Sequence, residues 1–118
     1  MVKKRIYIAG PMRGYPDYNY LEFVRVADAF FKEPELCERW EVVSPVKIGN
    51  GFGSAEEINE SPELLGRLME LELAVVKSCD AIFLMTGWEK SAGARAELRV
   101  ALDADLEIYT QESGVLVR

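Results

Sequence analysis

The sequence predicts a single α/β domain, residues 1–118, built on a parallel sheet, and three observations carry that prediction. Short apolar runs rich in β-branched and aromatic residues alternate with amphipathic stretches of helix length. Gly, Pro or Ser stops several of the runs, as expected of buried strands. A chain of 118 residues also fills one core and leaves no room for a second. Strands joined through helices by right-handed crossovers then give a small three-layer, Rossmann- or flavodoxin-like sheet of about four to five strands. Helices cover both faces, and the expected strand order is 2-1-3-4.

The elements follow in chain order. Arg5 to Ala9 (RIYIA), stopped by Gly10-Pro11, is the first strand. The next segment, GPMRGYPDYNY, is a loop whose glycines permit close approach to a ligand. Asn19 with Glu22 has capping-box spacing, and Leu21, Val24, Ala27, Phe30 and Phe31 recur at helical intervals toward Pro34, which marks the helix end. Trp40 to Ser44 is a second strand closed by Pro45. Lys47 to Glu60, with Gly49, Gly51, Phe52 and Gly53, shows no periodicity and is expected to be a loop, long enough to suggest function. Ser61-Pro62-Glu63 starts a helix that runs to about Lys77. Asp80 to Met85 is the third strand, Ser91 to about Asp103 the third helix, and Leu106 to Thr110 a fourth strand. Val115 to Val117 is an extra edge strand or a partner contact.

Composition narrows the function. The net charge of −6 argues against a nucleic-acid or anionic-membrane surface, both of which need clustered Lys and Arg. The one basic cluster, Lys3-Lys4-Arg5, flanks the first strand, and one or two cations still suffice for a single phosphate. The absence of His and of any CxxC pair argues against a zinc site, and two isolated cysteines fit a reduced, cytoplasmic chain. No secretory-signal pattern is expected, and no apolar run approaches the roughly 20 residues that span a bilayer.

Two acids stand out by their helical neighbours. Those of Glu97 are Gly93, Ala94, Val100 and Ala101, and those of Glu72 are Leu68, Met69, Val75 and Val76. Both acids should therefore face the sheet, whereas Glu70 lies near Arg67 as surface acids do. A buried carboxylate is costly, so either these side chains reach out to water or an Arg, or they form a carboxylate pair in one cleft. Asp80 opens its strand, opposite the end where ligands bind in such sheets, and is expected to be structural. Glu89 is on the ligand side.

Ser91 with the N–H groups of Gly93 and Ala94 either caps the third helix or forms an anion site. Gly10, Pro11, Met12 and Arg13 leave the first strand beside this place, and Arg13 is open to two uses, holding a phosphate or facing solvent. Tyr7, Tyr15 and Trp88 can stack on a base or cover the core.

Three segments carry a resemblance: IYIAGPMRGYPDYNY, CDAIFLMTGWEKS and SAGARAE. Together, over roughly residues 5 to 110, they resemble a family of short, mostly phage and bacterial proteins of unassigned function. That family is related to nucleoside 2-deoxyribosyltransferases and 2′-deoxynucleoside 5′-phosphate N-hydrolases. The resemblance implies that Glu97 attacks the anomeric carbon of a deoxyribosyl group. It implies a partner acid at Glu72, eight residues before Asp80, where the superfamily usually has Asp. A further aspartate of the transferases has no match here, and Glu89 is the candidate substitute. Ser91 and its helix start would match the phosphate-holding element of the N-hydrolases.

The implied reaction is cleavage of an N-glycosidic bond or deoxyribosyl transfer, on a nucleoside or nucleotide, without metal or redox cofactor. The implied assembly is a homo-oligomer, a dimer or larger. A non-catalytic nucleotide-binding or sensing protein is the alternative, since Glu72 departs from the usual Asp.

Overall fold

A computed structural model of the chain describes residues 3–12, 15–49, 51 and 53–111. The sheet has four parallel strands, β1 (Lys4–Ala9), β2 (Trp40–Val43), β3 (Ala81–Leu84) and β4 (Glu107–Thr110), in the order β2-β1-β3-β4. That is the expected 2-1-3-4 arrangement. The helices are α1 (Tyr20–Lys32), α2 (Pro34–Arg39), α3 (Pro45–Gly49), α4 (Ala55–Glu60), α5 (Pro62–Lys77) and α6 (Ala92–Asp103). No helix among the described residues is long and apolar enough to cross a membrane.

Strand alternation sorts the core into two layers. Ile6 and Ile8 of β1, with Phe83, Met85 and Tyr109, meet Phe23, Val26 and Phe30 of α1 on one face. Tyr7 and Ala9, with Ile82 and Leu84, meet Val76 of α5 and Ala94 and Ala101 of α6 on the other. Edge-to-face rings close the first layer: Phe30 on Phe83 at 5.8 Å, and Trp40 on Tyr109 at 5.9 Å between centroids.

Several local expectations hold. Ser61 Oγ accepts from Leu64 N–H at the start of α5, and Ser91 Oγ accepts from Ala94 N–H at the start of α6. Asp80 accepts from the Arg5 N–H at 2.8 Å, so it ties the foot of β3 to β1, as its position on the strand implied.

Three expectations are corrected. The stretch from Lys47 to Glu60 is not one loop: α3 and α4 form there, and α4 opens with a reciprocal capping box between Ser54 and Glu57. Asn19 does not cap α1. Its backbone is left-handed at φ 64°, and its amide donates to Pro11 O instead. The buried stripe of α1 is Phe23, Val26 and Phe30, while Leu21 and Val24 are exposed at 73% and 49%. The chain offers two overlapping apolar stripes on this helix, and the one that begins with the Phe23 ring buries more area in the first turns than Leu21 and Val24 would. Pro34 does end α1, but it also occupies the first turn of α2. The segment Val115 to Val117 lies outside the described residues.

At the carboxyl end of the sheet Gln111 joins two elements. Its side-chain oxygen accepts from Thr86 N–H after β3 at 2.8 Å, and its amide donates to Glu22 of α1 at 3.1 Å.

Candidate active site

Strand order reverses between β1 and β3, and in open α/β sheets that switch point opens a crevice at the carboxyl ends of the strands. Here the crevice is a cavity of about 450 Å³. Gly10, Pro11 and Met12 line it after β1, and Lys90 to Ala94 line it after β3. Leu65, Leu68, Met69 and Leu73 of α5, with Ile58 of α4, make an apolar wall.

Both singled-out acids line this cavity. Glu97 is 6% exposed, on the face of α6 that meets the sheet, and Glu72 of α5 is half-buried. They meet at one group. The Tyr7 hydroxyl is hydrogen-bonded to Glu97 and lies 3.1 Å from Oε2 of Glu72. The two acids thus share one phenol, which has a single proton to donate. Each carboxyl also feels the other: the Glu72 charge raises Glu97.

Burial sets how readily each acid ionises. Burial, then the nearby charge of Glu72, pushes the Glu97 carboxyl well above the ordinary range. Burial raises Glu72 as well, opposed by hydrogen bonds from Tyr7 and Glu97. The deeper acid, Glu97, thus holds a proton more strongly. Burial and the two acidic neighbours push the Tyr7 phenol up too, so it stays a donor.

Small residues make room for the pair. Ala94 and Gly93 lie one turn before Glu97, so α6 approaches β1 closely. A Cβ on Gly10 would come within 2.8 Å of both Cβ and Sδ of buried Met85. Gly10→Ala is expected to lower stability by about 1–3 kcal/mol through overpacking. Urea denaturation measures this, and an unchanged midpoint would show that Met85 yields without cost.

The other candidate residues divide. Gly10, Pro11, Met12, Ser91, Gly93 and Ala94 all line the cavity. In the first turn of α6 the Ala94 N–H is taken by Ser91 Oγ and the Arg95 N–H by Ser91 O. Ser91 is thus a cap, and the Ala92 and Gly93 N–H groups are the ones a ligand can use. Arg13 lies outside the described residues.

Two aromatic expectations are corrected. Tyr7 cannot stack on a base, because β1 alternation turns its ring into the core at 0% exposure and brings only the hydroxyl to the acids. Trp88 packs on the second core layer and does not line the cavity, because the left-handed Gly87 (φ 91°) turns the chain back over the sheet. Tyr15 does line it. Glu89 is exposed and does not.

Sequence reasoning missed Tyr18, Tyr20 and Lys90, all cavity-lining. Lys90 stands next to Ser91, so its position was readable, while the tyrosines depend on backbone geometry discussed below. Among the described residues no group of three or more His, Cys, Asp or Glu could hold a metal ion.

Fold and site together define an open parallel α/β protein with a buried carboxyl pair at its switch point. The chain belongs to the family described as "Domain of unknown function (DUF4406)", whose family model matches residues 4–110. No curated protein matches the chain at a significant level.

Proposed function

We propose that this protein cleaves the N-glycosidic bond of a nucleoside or nucleotide through Glu97, by hydrolysis or by deoxyribosyl transfer to a second base. The observation that carries the reading is the carboxyl pair on one buried phenol, at the end of a cavity with an apolar wall. In the proposed reaction a Glu97 oxygen forms a bond to C1′ as the C1′–N bond breaks. The electron pair leaves with the base nitrogen, which takes up a proton. Glu97 must be ionised for the attack, so its proton must first leave. Glu72, which meets the same Tyr7 hydroxyl, is the acceptor at hand and then the acid for the departing base. Water or a second base then attacks C1′ of the glycosyl ester as the C1′–O bond to Glu97 breaks, and Glu72, ionised by the first step, takes the proton of the incoming nucleophile, as in retaining glycoside hydrolysis. A 5′-phosphate, where present, would meet Lys90 and the Ala92 and Gly93 N–H groups. The reading is supported by the resemblance of the three sequence segments above and places the reaction in the cytoplasm, with no metal or redox cofactor in any step.

The test is incubation with each deoxynucleoside and its 5′-monophosphate, with free base followed by chromatography. Base release that Glu97→Gln abolishes supports the reading. Release that survives the substitution removes Glu97 from the nucleophile role.

One observation favours a second reading, a nucleotide-binding or sensing protein without turnover: Glu97 is almost fully buried, which raises its carboxyl well above the ordinary range, and a protonated carboxyl is no nucleophile. Micromolar binding of nucleotides by calorimetry with no base release from any of them would decide for that reading.

We further propose a homo-oligomer. Exposed Leu21 and Val24 on α1 and Leu102 on α6, at 73%, 49% and 56%, are the apolar surface available to a second copy. Light scattering at micromolar concentration should give at least twice the 13.3 kDa chain mass, and a monomer mass would refute it.

A further inference from the structure

Residues 15 to 20 carry an unusual backbone. Asp17, Tyr18 and Asn19 are three consecutive non-glycine residues in the left-handed region, with φ of 49°, 54° and 64°. Such residues are uncommon singly, and a run of them persists only where surrounding contacts hold it. Those contacts are present. The Asn19 amide donates to Pro11 O at 2.9 Å, and the Tyr18 N–H donates to Tyr15 O at 3.0 Å. The Tyr15 hydroxyl sits so close to Gly87 that a Cβ there would be 2.9 Å from it. This short strap is thus fixed to the end of β1 and to the turn after β3.

The strap puts aromatic rings on the cavity. Tyr18 and Tyr20 both line it, with ring centroids 6.3 Å apart and planes tilted by 52°. Residues two apart on a regular right-handed helix would point in different directions, so the left-handed turn is what brings both to one cavity. Opposite them stands the apolar wall of Leu65, Leu68 and Leu73. The polar side chains on the cavity other than the tyrosines, Glu72, Glu97, Lys90 and Ser91, are the ones the proposed reaction assigns to the sugar, the leaving nitrogen and a phosphate, or that cap α6. What is left for the remainder of a heterocycle is mainly ring face and apolar wall.

We infer that Tyr18 and Tyr20, held by the left-handed strap, bind a planar heteroaromatic ring by its faces and not by its edge. Applied to the proposed reaction, on which this inference rests, the ring is the leaving base. A subsite of this kind separates rings by size and stacking area and tolerates exchange of edge donors for acceptors. A hydrogen-bonding subsite, by contrast, rejects the wrong edge by about 10⁴–10⁵-fold.

The test uses the Glu97→Gln protein, which binds without turning over, titrated with free adenine and free hypoxanthine by calorimetry. These purines share ring area but exchange a donor for an acceptor at two edge positions. They are expected to bind within about threefold of each other, a small spread beside that of edge readers. Adding Tyr18→Asn or Tyr20→Leu should weaken both by the same factor, about tenfold or more, the usual loss when a stacked ring is removed. Asn is chosen at position 18 because it tolerates the left-handed backbone. The Tyr→Phe variants keep the ring and should bind as the parent does, which separates loss of stacking from loss of fold.

A difference beyond about a hundredfold between the two purines would overturn the inference. So would unchanged binding in the Asn or Leu variants, or no purine binding at all. Failure here and failure of the proposed reaction are distinguishable. Base release by the wild type without ring-dependent binding sinks only the subsite. Ring-dependent binding with no turnover of any substrate sinks only the reaction.

Discussion

Glu97→Gln is expected to eliminate base release, by about 10⁴- to 10⁶-fold, the scale on which an enzyme loses rate with its nucleophile. The substitution is nearly isosteric, and the amide keeps an acceptor for the Tyr7 hydroxyl. What it removes is the oxygen that, in the proposed reaction, forms an ester with C1′. Glu72→Gln should behave differently, because a group that moves a proton contributes only about 10²–10⁴-fold. The loss at Glu97 should therefore be the larger of the two, Glu72→Gln being the faster enzyme. Equal losses in the two variants would mean that the pair acts only as a unit and would withdraw the separate roles assigned above. Free base measured over a long incubation, at high enzyme concentration, gives the range needed.

The second large effect is on stability against pH. Burial keeps Glu97 and Glu72 protonated to higher pH in the folded protein than in the unfolded chain. Across that window the folded state binds more protons, so stability falls as pH rises. The favourable contribution is complete below the ordinary carboxylate range, near about pH 4, and is lost as pH climbs through the raised folded-state values. For one such proton the loss is about 1.4 kcal/mol for each pH unit crossed. Urea midpoints of the wild type should therefore decline as pH rises above the ordinary carboxylate range, the decline carrying that slope where the unfolded carboxylate is ionised and the folded one is not. Glu97→Gln should flatten the decline and make the variant more stable than the wild type at the alkaline end. Parallel curves for the two proteins would mean that Glu97 ionises in the fold as easily as in water. Together the two predictions describe a residue retained against stability, a common pattern at working sites.

Much of this site was legible in the residues. Helical spacing alone put Glu97 among Gly93, Ala94, Val100 and Ala101, and Glu72 among Leu68, Met69, Val75 and Val76, and both acids indeed face one cavity. The strand positions of Asp80 and the caps Ser61 and Ser91 were equally local signals, and the structure agrees with each. What failed did so for identifiable reasons. On α1 two apolar stripes overlap, and periodicity cannot choose between Leu21 with Val24 and Phe23 with Val26. In the 47–60 stretch three glycines drew attention away from Ser54 and Glu57, whose spacing alone was the start signal of α4.

Tyr7 is the instructive case. Alternation along β1 placed it on the same face as Ala9, toward α5 and α6, so its side was readable. That its hydroxyl would meet acids 65 and 90 residues away was not, because tertiary distance is absent from local pattern. Tyr18 and Tyr20 were hidden for a different reason: the backbone that turns them inward is one that ordinary residues avoid.

The Gln111 side chain has a consequence for how the molecule can be shortened. Cutting the chain back to Thr110 would keep all four strands but remove both hydrogen bonds that this amide makes. One of them anchors Glu22, in the first turn of α1, two residues from Tyr20 and the end of the strap. A truncation at the far end of the sequence would thus loosen the aromatic side of the cavity while leaving the carboxyl pair where it is. The contacts that brace this end of the sheet extend at least one residue beyond its last strand.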